Sequence, residues 1–174
     1  SLLGNIFLAR SAPRKGYRKN GTNIVILSQT IADLGTTCFV IPFAMIAVYK
    51  DAWVLDEVFC RLNGFSNLFF TFATLYNLSF LAYDRFLVIV HKNHRALSRE
   101  QAIKGITLVW SMALALSFPW MEMASEKIRM VFTRGFYTCY LRYNQSFGAF
   151  EIFGLILQLV IGAAIPTSTI LFSF

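Results

Sequence analysis

Charged residues inside apolar stretches are the side chains of this sequence with the clearest chemical potential. Asp84 and Arg85 are adjacent within the apolar run Leu78–His91, and Asp33 lies about eleven residues into the apolar stretch 22–49. A charge in a membrane is costly unless it is paired or interfacial, so such residues are functional candidates. Asp84 can neutralise Arg85, and a partner that pulls Arg85 away would make the pair a switch. The alternative is a pair of interfacial charges that only fixes the depth of a helix.

Catalytic chemistry is not indicated. The sequence shows no set of nucleophile, base and oxyanion hole, and its two histidines and three cysteines do not have the spacing of a zinc site. We therefore expect neither an enzyme nor a required cofactor.

The composition is that of a membrane protein. Hydrophobic residues make up 56% of the 174 residues, charged residues make up only 14%, and the mean hydropathy is +0.56. The net charge of +7 alone could suggest a nucleic-acid partner. The basic residues cluster between apolar spans, however, which fits loops beside membrane lipid and argues against nucleic acid.

The spacing of apolar segments predicts an all-α membrane protein. Pro42 should kink the second span, and Ser98 with Gln101 resembles a capping box that opens the fourth. In the third span, Asn67, Thr71 and Thr74 recur at helical spacing and predict one polar face toward the bundle interior. The predicted helices are about 1–9, 22–49, 57–90, 101–121 and 148–174.

The long segment 122–147 differs from the other loops. Two β-prone runs flank a Gly-containing turn within residues 127–141, which predicts a β-hairpin carrying Cys139. Asn144-Gln145-Ser146, a glycosylation sequon, follows it.

The basic residues predict the orientation in the membrane. Residues 10–19, residues 91–104 and Arg85 hold ten of the sixteen Lys and Arg residues, so this side should be cytoplasmic. Cys60, Cys139 and Asn144 then lie on the extracellular side of a multi-pass plasma-membrane protein.

Several motifs, in order along the chain, resemble those of rhodopsin-like (class A) G-protein-coupled receptors. Asp84-Arg85-Phe86 stands where that family has its DRY motif, and Leu27–Leu34 resembles its LSxAxAD motif. The remaining matches are Gly4-Asn5, Trp53, Cys60, Trp110 and Pro166. The resemblance implies a seven-transmembrane-helix bundle, of which this chain carries the end of the first helix and the next four, with the β-hairpin in the second extracellular loop.

The resemblance also implies roles for particular residues. Cys60 would form a disulfide with Cys139, and Asp33 with Thr74 would be ligands of an allosteric sodium ion. The alternative for that pair is a water-linked polar network. Leu75 and Pro166 would relay activation, and Pro166 leaves a backbone carbonyl unpaired, which permits a local bulge.

The residues implied for the ligand pocket are all neutral. They are Asn67, Leu68, Thr71, Gln158 and Ile161. Asn67 stands where amine receptors carry an aspartate, and a buried ligand cation without a counter-charge is costly. A peptide, a lipid, another neutral ligand or no ligand is therefore expected, although each of these side chains could instead serve only interhelical hydrogen bonding.

The implied partners are a heterotrimeric G protein, arrestin, receptor kinases and an extracellular ligand. Three residues depart from the family pattern: Phe86 replaces a tyrosine, Lys92 a proline, and Phe174 a tyrosine whose hydroxyl helps to hold the released arginine. We expect unusual or weak coupling in consequence. The rival interpretations are a ligand-independent, constitutively active receptor-like protein and, from another class, a transporter or channel.

Overall fold

The computed structural model describes residues 4, 6, 10, 21–90, 97–122, 128–133, 138–143, 156 and 160–173. Most of the predicted first helix, most of the loop 10–19 and residues 91–96 of the predicted loop 91–104 lie outside these residues, whereas residues 99–104 belong to a helix. The helices are α1 (Gly21–Phe39), α2 (Ile41–Lys50), α3 (Glu57–Val90), α4 (Arg99–Glu122) and α5 (Ile165–Ser173). A π-helical segment, Val160–Ala164, directly precedes α5. The strands are β1 (Ile128–Thr133) and β2 (Thr138–Tyr143).

The second predicted span is divided into α1 and α2. The interruption falls at Val40, two residues before Pro42, which occupies the first turn of α2. Proline is tolerated there because the first N–H groups of a helix have no intrahelical acceptor. The side-chain amide of Asn63 on α3 donates to the carbonyl oxygens of Phe39 and Val40, at 3.4 Å each. The irregular backbone is thus supported by the neighbouring helix.

Helix α3 is the centre of the structure, since it contacts α1, α4, the β-strands, the π-helical segment and α5. Its 34 residues extend about 50 Å, which exceeds the ~30 Å hydrocarbon core of a bilayer. Three of its phenyl rings fill the space beside glycines of neighbouring elements. The pairs are Phe70 with Gly35, Phe80 with Gly105 and Phe72 with Gly162. A Cβ added at any of these glycines would lie 2.2–2.5 Å from the ring, so the absence of a side chain permits close helix packing.

The middle of the bundle is packed from small and aromatic side chains. Ala32, Phe72, Ala73 and Ala113 are buried together. Trp110 packs on this cluster, with its ring 5.4 Å from that of Phe69, and its indole N–H donates to the hydroxyl of Ser28 at 2.9 Å. Because the indole nitrogen finds a buried acceptor, α4 is fixed against α1 without leaving a polar group unsatisfied.

Helix α4 begins with the predicted capping box. The backbone N–H of Gln101 donates to the Ser98 hydroxyl at 3.2 Å, and the N–H of Ser98 donates to the Gln101 side-chain oxygen at 3.0 Å. The same turn contacts the start of α1, because the N–H of Gly21 donates to the carbonyl of Leu97 at 3.0 Å. A side chain at residue 21 would collide with that backbone, since an added Cβ would lie 2.3 Å from the Leu97 oxygen.

Strands β1 and β2 pair in antiparallel register, with Phe132 opposite Cys139 and Ile128 opposite Tyr143. Both strands contact α3. Of the predicted turn, Thr133-Arg134-Gly135, the first residue ends β1 and the other two lie outside the described residues.

Among the described residues, two helical stretches are long and apolar enough to cross a membrane, Gly21–Lys50 (α1 and α2 together) and Arg99–Phe118, and Val160–Phe172 is a shorter apolar helix. Large apolar side chains are exposed along these helices, among them Met45, Tyr49, Leu108, Leu171 and Phe172. Such a surface suits contact with lipid and is unsuited to contact with water.

Candidate functional site

The acid of the Asp84-Arg85 pair is fully buried and held by another helix. Asp84 is 1% exposed, and its Oδ2 atom accepts a hydrogen bond of 3.0 Å from the hydroxyl of Thr22 on α1. Its second oxygen, Oδ1, is also buried and has no hydrogen-bond partner among the described residues. Burying a carboxylate with one oxygen unpaired is costly, which marks Asp84 as a residue kept for function.

The arginine of the pair is held much less tightly. The Arg85 side chain is 50% exposed, and its Nε atom lies 4.0 Å from Asp84 Oδ2. That distance allows electrostatic attraction but is too long for a hydrogen bond. Phe86, the next residue of the motif, is half-buried. The acid is therefore fixed, while the guanidinium is available to another acceptor.

Beside Arg85 lies an apolar cleft of about 220 Å³ between α1, α3 and α5. Its lining consists of Ile26, Leu78, Leu81, Ala82, Arg85 and Ile170. Arg85 is the only charged residue in this lining. Such a surface binds water poorly, so the cleft is an apolar binding surface next to a single cation.

The sequence did not single out Thr22. It lies 62 residues from Asp84 in the chain, and a threonine at the start of an apolar span carries no signal of its own. Its role depends on the packing of α1 against α3, which became visible only in the structure.

Asp33, predicted as a sodium ligand, is half-buried in α1. Its Oδ1 atom accepts a hydrogen bond of 3.0 Å from the Gln29 side-chain amide. The amide oxygen of Gln29 is buried and has no hydrogen-bond partner among the described residues. Carboxylate and amide oxygens are ligands that hard cations prefer, so the donor types at this place fit sodium. Thr74 is half-buried on α3. Within the described part of the chain, no group of three or more His, Cys, Asp or Glu residues could hold a metal ion.

The residues predicted for the ligand pocket have unequal surroundings. Asn67, Leu68 and Ile161 are half-buried, and Thr71 is exposed. Gln158 lies outside the described residues. On a helical projection Asn67 and Thr71 share a face of α3 with Leu78 and Arg85, at spacings of four and seven residues. The predicted polar face is thus a comparatively open side of α3, and it leads toward the Arg85 cleft.

A hydrogen bond that was not predicted lies close to the predicted relay residues, Leu75 and Pro166. Pro166 is fully buried and Leu75 is half-buried. The hydroxyl of Tyr76, the neighbour of Leu75, donates to the backbone carbonyl of Ile161 in the π-helical segment.

Cys60 is buried and disulfide-bonded, whereas Cys38 is a free, exposed thiol. The side chain of Cys139, the predicted partner, lies outside the described residues. So do Asn144, Lys92 and Phe174.

Membrane-length helices around a central α3, with a buried acid beside a half-exposed arginine, define an α-helical multi-pass membrane protein. The family described as "7 transmembrane receptor (rhodopsin family)" matches residues 4–174, and the chain belongs to that family. It is therefore a plasma-membrane receptor protein and not an enzyme.

Individual relatives are identical to this chain at about three in ten of the aligned positions. The chain is similar to the neuropeptide Y receptor type 1 of Xenopus laevis, with 30% identity over 69% of this chain and 33% of the relative. It is also similar to the galanin receptor type 1 of Rattus norvegicus (33% identity; 64% of this chain, 32% of the relative). The melatonin receptor type 1B of Rattus norvegicus is 28% identical over 67% of this chain and 33% of the relative. The aligned part spans about a third of the length of these curated relatives.

Proposed function

We propose that this protein is a G-protein-coupled receptor that passes an extracellular signal to heterotrimeric G proteins through Asp84 and Arg85. The observation that carries the proposal is the asymmetry of the pair. Asp84 is buried and bonded to Thr22, while Arg85 is half-exposed, 4.0 Å away, beside an apolar cleft.

The asymmetry gives a physical route to switching. In the resting arrangement Arg85 is attracted to a fixed carboxylate, and α1 and α3 stay joined through Thr22. A G protein that offers acceptors to the guanidinium and an apolar surface to the cleft binds only when Arg85 turns away. Such binding shifts the population toward the open arrangement. The basic segments 10–19 and 91–104 adjoin this end of the helices, which supports a cytoplasmic position.

The ligand we propose is not a biogenic amine. Asn67 is neutral, and neither Thr71 nor Ile161 can supply a counter-charge for an ammonium group. The relatives are named for neuropeptide Y, galanin and melatonin, which favours a peptide or another neutral ligand. The antiparallel β1 and β2 beside α3 support a hairpin in the second extracellular loop, which is commoner in peptide receptors.

Further features complete the proposal. Cys60 would pair with Cys139 and join α3 to β2, and Asn144 would carry a glycan on the outer side. Asp33 and Thr74 would hold an allosteric sodium ion, and the side chain of Gln29, which contacts Asp33 and has an unpaired buried oxygen, supports this proposal. Leu75 and Pro166 would relay ligand binding inward. Arrestin and receptor kinases would act on the cytoplasmic side.

The test is ligand-free activation of a panel of G proteins by the full-length receptor and by Arg85→Ala, at matched surface expression. We expect a measurable basal rate that Arg85→Ala lowers to the level of cells without the receptor. Arg61→Ala is the matched control, since Arg61 lies on the same helix near its other end, in an exposed ion pair with Glu57. We expect it to keep the basal rate. Equal activity in all three proteins, or ion flux without G-protein activation, would contradict the proposal.

Thr22→Val sharpens the same test. Valine keeps the shape of threonine but cannot donate to Asp84, so the restraint on the acid is weakened. We expect basal activation to rise about tenfold or more, because one charge-assisted hydrogen bond stabilises only the resting arrangement, by about 1.5–3 kcal/mol. Thr107→Val is the control, since Thr107 is exposed and donates only within α4.

Phe174→Tyr tests the departure from the family pattern at that residue. It would restore the hydroxyl that the resemblance places beside the released arginine. We expect stronger signalling at equal expression. No change would show that Phe174 does not limit coupling.

A further inference from the structure

The backbone of the fifth span contains a carbonyl that loses its expected donor. In a π-helix each carbonyl accepts from the N–H five residues later. For Ile161, inside the π-helical segment Val160–Ala164, that donor would be residue 166. Residue 166 is proline and has no N–H. The π-helical pattern therefore ends where Pro166 interrupts it, and the Ile161 carbonyl needs a donor from elsewhere.

The donor comes from α3. The hydroxyl of Tyr76 donates to the Ile161 carbonyl, and the two residues are 85 positions apart in the chain. An unpaired carbonyl inside a membrane has no water to bind, so the fold gains from this bond more than it would in water. The sequence alone places a bulge near Pro166 but does not show what satisfies it.

A second contact holds the same segment from the same face of α3. Phe72 lies one helical turn before Tyr76, and its ring occupies the space beside Gly162. A Cβ at residue 162 would lie 2.5 Å from that ring. Two consecutive residues of the π-helical segment, 161 and 162, are thus fixed by two side chains of one helix face.

We propose that Tyr76 is a positioning residue whose phenol replaces the missing N–H of Pro166 and fixes the π-helical segment. This segment sets the rotation of the outer half of the fifth span. A π-helical turn holds one residue more than an α-helical turn, so its loss would rotate the preceding residues by about 100°. Tyr76 thereby decides which side chains of the fifth span, Ile161 among them, face the ligand pocket. The consequence for ligand binding rests on the proposed receptor function; the hydrogen bond and the rotation do not.

The first experiment is a double-mutant cycle of Tyr76→Phe and Pro166→Ala, read as the unfolding temperature of the purified full-length protein in one detergent. Alanine at 166 restores an N–H, so the Ile161 carbonyl no longer depends on Tyr76. We expect Tyr76→Phe to lower the unfolding temperature by roughly 3–6 °C beside the native proline, and by less than half as much in the Pro166→Ala background. Tyr83→Phe is the control, since Tyr83 is exposed on the same helix, and it should change nothing. Equal losses in both backgrounds would overturn the proposal.

The second experiment reads the rotation directly and needs no G protein. In a Cys38→Ser background, Ile161→Cys is labelled with a water-soluble thiol reagent well below the unfolding temperature, with and without Tyr76→Phe. We expect the labelling rate to change several-fold when the phenol is lost. An unchanged rate would overturn the positioning role. This labelling measurement tests the role of Tyr76 even if the Pro166→Ala protein does not accumulate in cells. A receptor that fails to activate any G protein yet passes both tests would refute the proposed function alone.

Discussion

Two proline-containing irregularities, one in the second span and one in the fifth, are both supported by side chains of α3, yet in different ways. Near Pro42 the helix is interrupted for the single residue Val40, and Asn63 donates to two carbonyls at 3.4 Å. Near Pro166 five residues adopt a π-helix, and one phenol donates to one carbonyl. Both solutions satisfy backbone groups that have no water to bind within the membrane.

The difference lies in which carbonyls α3 serves. An α-helical N–H at residue 42 would bond the carbonyl of Cys38, whereas Asn63 bonds those of Phe39 and Val40. The Val40 carbonyl already accepts from the N–H of Ala44 at 3.2 Å. At Val40, Asn63 therefore supplements an existing backbone hydrogen bond, while Tyr76 replaces a bond that Pro166 removes. The second span is interrupted at one residue, and the fifth depends on its neighbour.

The largest loss of stability should come from adding a side chain at Gly162, within the π-helical segment, or at Gly35, in α1 before the interruption at Val40. We expect Gly162→Val to cost about 2–3 kcal/mol, because Phe72 is 6% exposed and its ring cannot retreat. Gly35→Val meets the ring of Phe70 even more closely, at 2.2 Å, but Phe70 is half-buried and can move. The measurement is the unfolding temperature of each full-length variant. A larger loss for Gly35→Val would show that the fifth span is not the more dependent one.

A smaller loss is expected for Asn63→Leu, which keeps the volume and removes the donor. Asn63 is 1% exposed, and losing a buried amide that serves two acceptors should cost about 1–3 kcal/mol. Asn67→Leu, four residues further along α3 at a half-buried position, serves as the control. Unfolding temperatures of the two variants give the comparison. If the control were the more damaging change, the support of the Val40 interruption would have to come from other groups.

The positions of the irregularities could be read from the sequence, but their partners could not. Pro42 and Pro166 are local signals, since proline removes an N–H wherever it stands. The capping box of Ser98 and Gln101 was equally local, and it formed as predicted. Asn63 and Tyr76 are 23 and 85 residues away from their acceptors in the sequence. At such separations only the packing of the helices determines which groups form hydrogen bonds. A polar side chain in an apolar span indicates that it has a hydrogen-bond partner, but the sequence does not identify that partner.

The candidate site likewise combines residues that the sequence reveals with contacts that only the structure shows. Asp84 and Arg85 are recognisable because charges in an apolar run are rare. The burial of one and the exposure of the other depend on Thr22 and on the cleft between three helices, which no local pattern contains. Gln29 was likewise missed beside Asp33, although a spacing of four residues on a helix could have suggested the contact.

The smallest effect should follow Pro42→Ala, and it separates the two irregularities most clearly. Pro42 is exposed in the first turn of α2, so an N–H there gains little, and we expect the unfolding temperature to change by no more than about 2 °C. Asn63→Leu should cost as much in the Pro42→Ala background as beside the native proline, because the two changes concern different carbonyls. The Tyr76 and Pro166 pair should instead be strongly coupled. Coupling of comparable size in both cycles would mean that α3 replaces a missing proline donor in the second span as well, and that the distinction drawn between the two spans is wrong.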